Sequence, residues 1–203
     1  AFPMVCFCDI PLSRISEHTG QYGSYGLGLT KTWAEKNNLN PILYLSPNSR
    51  LSESILESMN FAAKSCENID DGDTNEQVDE ARFLVAHIKP TSGKMLRGKK
   101  RIETDFYQES EWRNIPRTSE VLTHLSQSEF NNTKLLDKEN DNTKKYCSLK
   151  VTPKDISYIF VPTDKDIPNV IKFIKTEMKS FKDEELMILY TKIVSIETLN
   201  GDM

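Results

Sequence analysis

The apolar residues of this 203-residue chain arrive in short, bounded runs, and that spacing decides what it can fold into. PMVCFC (3–8), NPILYL (40–45), ARFLVAHI (81–88) and ISYIFVP (156–162) are each short, bounded by turn-forming residues, and read as buried strands. Helical spacing fills the intervals. Leu51, Ile55, Met59 and Ala62 recur roughly every fourth residue behind Ser49, a ready N-cap, and DIPNVIKFIKTEM (166–178) has the pattern of an amphipathic helix. This order predicts the α+β class: a single domain over 1–203 with a central, mostly antiparallel sheet flanked by helices. Strands are expected over 3–8, 26–32, 41–45, 82–89, 107–115, 156–161 and 187–194.

Apolar residues at 37% and charged residues at 28% leave enough material for one core and for long solvated loops. ENIDDGDTNEQVDE (67–80) carries seven acids and no base, without the alternating acids of a calcium loop, and reads as a solvated loop. Residues 117–145, rich in Asn, Lys, Ser and Asp, read as a long mobile insertion. The net charge of −4 supplies no global attraction to nucleic acid or anionic membrane, so such contact needs a local patch. GKMLRGKKR offers one: Lys94, Arg97, Lys99, Lys100 and Arg101 form a basic loop for a partner protein or nucleic acid. No apolar run approaches the ~20 residues of a membrane helix, and no secretory signal is legible, so the expected location is the cytoplasm.

Several chemistries lack their residues. The cysteines at 6, 8, 66 and 147 include no paired CxxC, so they read as buried, reduced thiols, with Cys6 and Cys8 on one face of a strand. Histidines 18, 87 and 124 write no HExxH metal site, and the chain has neither a GxSxG elbow nor a P-loop lysine.

YQESEWRNIP (107–116) is the most charged of the expected strands. Alternation would place Glu109, Glu111 and Arg113 on one face and Trp112 on the other. Two carboxylates on one face repel unless a cation answers them, and Arg113 can answer one. Read from the pattern alone, the charges meet water while Trp112 packs inward; the alternative is a catalytic pair.

CFCDIPLSRISEH, YGSYGLGLTKTWAEKNNLNPILYL and FYQESEWRNIP, in that order, resemble the AbiGi family of bacterial abortive phage-resistance proteins, and KVTPKDISYIFVPTDKDI and TKIVSIETL fit it as well. The resemblance implies an anti-phage defence component acting with a protein encoded beside it. It also implies that family members begin upstream of Ala1, with a further strand and helix. A weaker similarity in segment order is to DarT-type ADP-ribosyltransferases, which carry E-x-E or Q-x-E on a late strand. That likeness implies NAD as cofactor, Glu111 as the carboxylate that stabilises positive charge developing on the ribose, and Glu109 facing the acceptor. It further implies Thr30 and Thr32 near the nicotinamide ribose, with His18, Tyr22 and Tyr25 lining the pocket and Arg113 beside Glu111. Asp9 stands where those enzymes carry an arginine, which keeps open the alternative of a non-catalytic antitoxin that binds a neighbouring toxin.

Overall fold

In the computed structural model, which describes residues 1–66, 76–97 and 100–202, helices and strands are interspersed along the chain. The elements begin with β1 (Val5–Cys8), α1 (Ile15–Tyr22), β2 (Gly26–Leu29), α2 (Lys31–Lys36), β3 (Asn40–Pro41) and β4 (Leu43–Leu45). They continue with α3 (Arg50–Cys66), α4 (Glu76–Ala86), β5 (Ile88–Pro90), β6 (Ser92–Arg97), β7 (Lys100–Asp105) and β8 (Glu111–Asn114). Then come α5 (Gln127–Phe130), α6 (Thr133–Tyr146), β9 (Ile156–Val161), α7 (Ile167–Glu177), α8 (Asp183–Tyr190), β10 (Ile193–Ser195) and α9 (Ile196–Asp202).

The class is mixed helix and sheet, and the expected central sheet is divided into four small ones. Four of the six described pairings are antiparallel (β1 with β8, β2 with β9, β3 with β8, β6 with β7); β9 with β10 and β4 with β5 are parallel. The chain separates into two compact units, each discontinuous in sequence: Ala1–Asp9 with Leu39–Ser148, and Ile10–Asn38 with Leu149–Met203.

In the first unit β8 lies between β1 and β3, β4 pairs with β5, and β6 with β7 forms a hairpin. Leu39, Ile42, Leu45, Ala86, Ile115, Val121 and Leu125 supply its buried apolar side chains. In the second unit β9 is central between β10 and β2. Its run of apolar residues suits a strand flanked on both edges: Ile156 and Ile159 pack with Ile174 of α7 and with Leu186 and Leu189 of α8, while Phe160 joins Ile15 and Ile196.

The strand expected over 26–32 ends at Leu29, because the Thr30 hydroxyl accepts from the Trp33 N–H (3.2 Å) and caps α2. Residues 82–86 belong to α4, and only 88–90 form a strand. A short apolar run carries no period long enough to separate helix from strand. Residues 187–190 likewise belong to α8: Leu186 and Leu189 point inward at helical spacing, and Asp183, Glu184 and Glu185 fill the first turn, where the helix dipole favours acids. The segment 117–145 is not one loop. Ser126 and Glu129 form a capping box for α5, Asn132 caps α6, and the buried Glu139 of α6 accepts from the Leu122 N–H (3.4 Å) and Asn142 Nδ2 (3.2 Å). Of the acidic segment 67–80, residues 67–75 lie outside the described residues and Glu76–Glu80 begin α4.

Candidate functional site

The strand expected over 107–115 is a strand only from Glu111 to Asn114. Ahead of it, Phe106–Glu109 is a single 3-10 turn capped by the Asp105 carboxylate, and Ser110 follows in the left-handed region with φ 45°. That residue reverses the chain between the two glutamates. Glu109 and Glu111 therefore converge by a turn and not by strand alternation. Both are buried, with 7% and 4% exposure, the opposite of a strand whose charges meet water.

Lys89 on β5 joins them: its Nζ donates to Glu109 Oε2 at 2.5 Å and to Glu111 Oε2 at 2.8 Å. Arg113 Nε donates to the other oxygen of Glu111 at 2.6 Å, and its Nη1 donates to the Ala86 carbonyl. Tyr44, level with Lys89 across the β4–β5 pairing, accepts from the Glu111 N–H at 2.9 Å. The Phe106 ring lies 4.6 Å from Lys89 Nζ. Two acids and two bases thus form one neutral cluster tying β5, the 3-10 turn and β8 together.

Cross-strand pairing sets Cys8 opposite Glu111 and Cys6 opposite Arg113, so both thiols share the face of the cluster. Burial, then the neighbouring carboxylates, pushes the Cys8 thiol up to about 12 and Cys6, which hydrogen-bonds Glu111, up to about 11. Both stay protonated at neutral pH and are poor nucleophiles. Cys6 is exposed as a residue, with its thiol partly desolvated against Glu111, and Cys8 is half-buried, a correction to the expectation of buried thiols; Cys6, Cys8 and Cys147 form no disulfide. Burial opposes the charge on Glu111, but hydrogen bonds from Arg113, Cys6 and Lys89 outweigh it and lower its pKa to about 2. Burial likewise opposes the charge on Lys89, and the two glutamates more than offset it and raise that pKa.

Arg113 answers Glu111 as its position predicts. Lys89 and Tyr44 escaped the sequence reading: IKP and LYL read as plain strands, and only the parallel pairing of β4 with β5 brings them to the glutamates. Trp112, on the face of β8 opposite the cluster, is half-buried and not fully inward as expected.

Glu109, Glu111 and Arg113 belong to the first compact unit; His18, Tyr22, Tyr25, Thr30 and Thr32 belong to the second. Thr30 is the α2 cap, and Thr32 lies exposed in the first turn of that helix, so neither is on a strand. His18 and Tyr22 stack on α1 with ring centroids 4.6 Å apart, and the exposed Tyr25 donates through its hydroxyl to Asp166 Oδ1 (3.2 Å). In the basic segment, Lys94, Lys100 and Arg101 stand on the β6–β7 hairpin, with Lys94 3.7 Å from Glu103. Lys99 and the Arg97 side chain lie outside the described part. Among the described residues no group of three or more His, Cys, Asp or Glu is arranged to hold a metal ion.

A family model described as "Putative abortive phage resistance protein AbiGi, antitoxin" matches residues 1–162. The chain belongs to the AbiGi family. A curated AbiGi relative from Lactococcus lactis subsp. cremoris, named "Abortive phage resistance protein AbiGi", is 29% identical over 227 aligned residues, covering 98% of this chain and 88% of the relative. No solved structure matches. Membership of AbiGi assigns the chain to abortive phage resistance, and the family's description as antitoxin implies a toxin partner. The likeness to DarT-type enzymes gains no support from these matches. No helix among the described residues is long and apolar enough to cross a membrane.

Proposed function

We propose that this AbiGi chain is the non-catalytic, protein-binding member of a two-component abortive-infection pair, acting by direct contact with the toxin encoded beside it. The observation that carries the reading is the occupancy of the E-x-E pair. Each Glu111 oxygen already accepts from a cation, and Glu109 shares Lys89. A carboxylate that stabilises a developing ribosyl cation must present its charge to the substrate. Here that charge is neutralised within the protein and 96% of the residue surface is withdrawn from solvent, the complement of its 4% exposure. Removing the partners to free it would leave buried charges uncompensated, which is strongly unfavourable. The cluster therefore serves as an internal tie, and NAD has no role in this reading.

Growth and survival decide between restraint and catalysis. Cells expressing the neighbouring toxin should grow only when this chain is co-expressed, and the two proteins should co-purify. A Lys94→Glu/Arg101→Glu variant should keep the fold and bind with a flatter salt dependence, since exposed hairpin charges act mainly on encounter. Release of nicotinamide from NAD by the purified chain, abolished in a folded Glu111→Gln variant, would overturn the reading.

A further inference from the structure

The basic segment singled out in the sequence folds as a two-stranded antiparallel ribbon, β6 with β7. Its base is seated on the turn that holds Glu109. A Cβ on Gly93 would stand 3.0 Å from the Phe106 ring, the ring that lies against Lys89, so glycine lets the ribbon close on that turn. Beyond the base, cross-strand partners share a face. The register puts Lys94 with Glu103 and Leu96 with Arg101 on one face, and Met95 with Ile102 and Arg97 with Lys100 on the other. Leu96, Lys100, Arg101 and Ile102 are all exposed, Leu96 at 68%, so the ribbon stands free of its own unit on both faces.

Charge is distributed unevenly along it. Residues 93–102 carry five cations and no acid, within a chain of net charge −4. Glu103 pairs with Lys94 at 3.7 Å, which leaves Lys100 and Arg101 with no acidic partner among the described residues. Arg97 and Lys100 hold directly opposed positions at the end of the register. Like charges so placed destabilise a strand pair, and a bound anion offsets that repulsion. The cations also occupy both faces, Arg101 one and Lys100 the other, so a complementary anion has to reach the ribbon from two sides. The apolar residues are divided in the same way, which leaves no single apolar face to enter a bilayer.

Duplex DNA meets those requirements. The B-form major groove, about 12 Å wide, admits a two-stranded ribbon and carries a phosphate backbone along each wall. The corresponding groove of A-form RNA is too narrow, and an acidic protein surface presents its charge from one side. We propose that the β6–β7 ribbon is a DNA-binding arm that enters the major groove of a duplex, with Arg101 facing one backbone and Lys100 the other. Phosphate supplies the affinity, so binding depends steeply on salt and little on sequence. This function is additional to the protein-binding reading above and does not depend on it.

The test titrates the whole chain against a short labelled DNA duplex across a salt series, with thermal unfolding recorded for each variant. Two phosphate contacts predict that log K falls with log salt at a slope of about −2. The double variant Lys100→Gln/Arg101→Gln should weaken binding at least about tenfold at low salt and flatten the slope by about one for each contact removed. Glu103→Gln frees Lys94 and should tighten binding, a gain that damage to the fold does not produce. Should the double variant unfold, Glu103→Gln decides alone, and unchanged or weaker binding overturns the proposal. No binding by the wild type at the lowest salt, or a folded double variant that binds as the wild type does, also overturns it. Either result spares the protein-binding reading, whose own test is co-purification with the toxin. Equal affinity for duplex RNA or for vesicles of anionic lipid makes the ribbon a general polyanion contact and overturns the DNA assignment. A double variant that loses the purified neighbouring toxin while keeping DNA assigns the ribbon to that protein and overturns the proposal.

Discussion

Strands β8 and β9 each carry side chains out of water, and they do so by opposite means. β9 is apolar along most of its length, has a strand on each edge and buries four of its six residues, with Val161 fully enclosed. β8 turns Glu111 and Arg113 inward, where they pair with each other, with Lys89, which also holds Glu109, and with the Ala86 carbonyl. The hydrophobic effect drives the first and is indifferent to direction, so substitutions there are felt in proportion to volume. The second depends on pairing. A buried charge is tolerable only while its partner is present, which makes the strand conditional on residues far away in the chain.

The largest expected effect breaks the comparison at its charged end. Glu111→Ala leaves Arg113 and Lys89 without their shared partner and should lower unfolding free energy by about 3–5 kcal/mol, measured by urea denaturation. Replacing the pair together, Glu111→Leu with Arg113→Met, should recover much of that loss. Leu189→Ala, at a side chain of 0% exposure in the second unit, should cost about 2–5 kcal/mol with no such rescue by a second change.

Acid should separate the two regions next. Because the Glu111 pKa falls from 4.5 to about 2 on folding, its contribution to stability is complete above pH ~4.5 and disappears as pH drops towards ~2. The stabilisation at stake is on the order of 3 kcal/mol. Glu111→Gln should flatten the acid limb of stability against pH, whereas Ile159→Val in β9 should lower the whole curve and leave its slope unchanged. A wild-type slope unaltered in Glu111→Gln would remove the charge cluster from the account.

Trp112→Ala should cost about 1–2 kcal/mol, below the range for a fully enclosed tryptophan, since the ring is half-buried. Lys100→Glu on the exposed hairpin should shift stability by less than about 0.5 kcal/mol, within the ordinary range for surface changes.

ISYIFV is legible as a buried strand because its own apolarity pays no regard to where its neighbours come from. PMVCFC contains β1, and Ser49 accepts from the Ser52 N–H (3.2 Å) at the start of α3 as its position predicts. Residues 82–86 and 187–190 read as strand from the sequence and are helical, because a short apolar run fits either period and the sides that pack choose between them. Asn-rich 117–145 reads as a loop because its caps and one buried glutamate are polar and composition scores such residues as solvated, while its buried Val121 and Leu125 stand too far apart to show a period.

For the candidate site, adjacency in the sequence supplied Glu109, Glu111 and Arg113, together with the family strings. It could not say which way the glutamates point. Ser110 in the left-handed region decides that, and Lys89, twenty residues before Glu109, decides what they meet. The physical reason is range: apolar patterning and helix capping are legible from residues within a few positions of one another. Neutralising a buried carboxylate requires an opposite charge brought in by a strand pairing. That follows from which strands lie beside which, a property held by the tertiary structure alone.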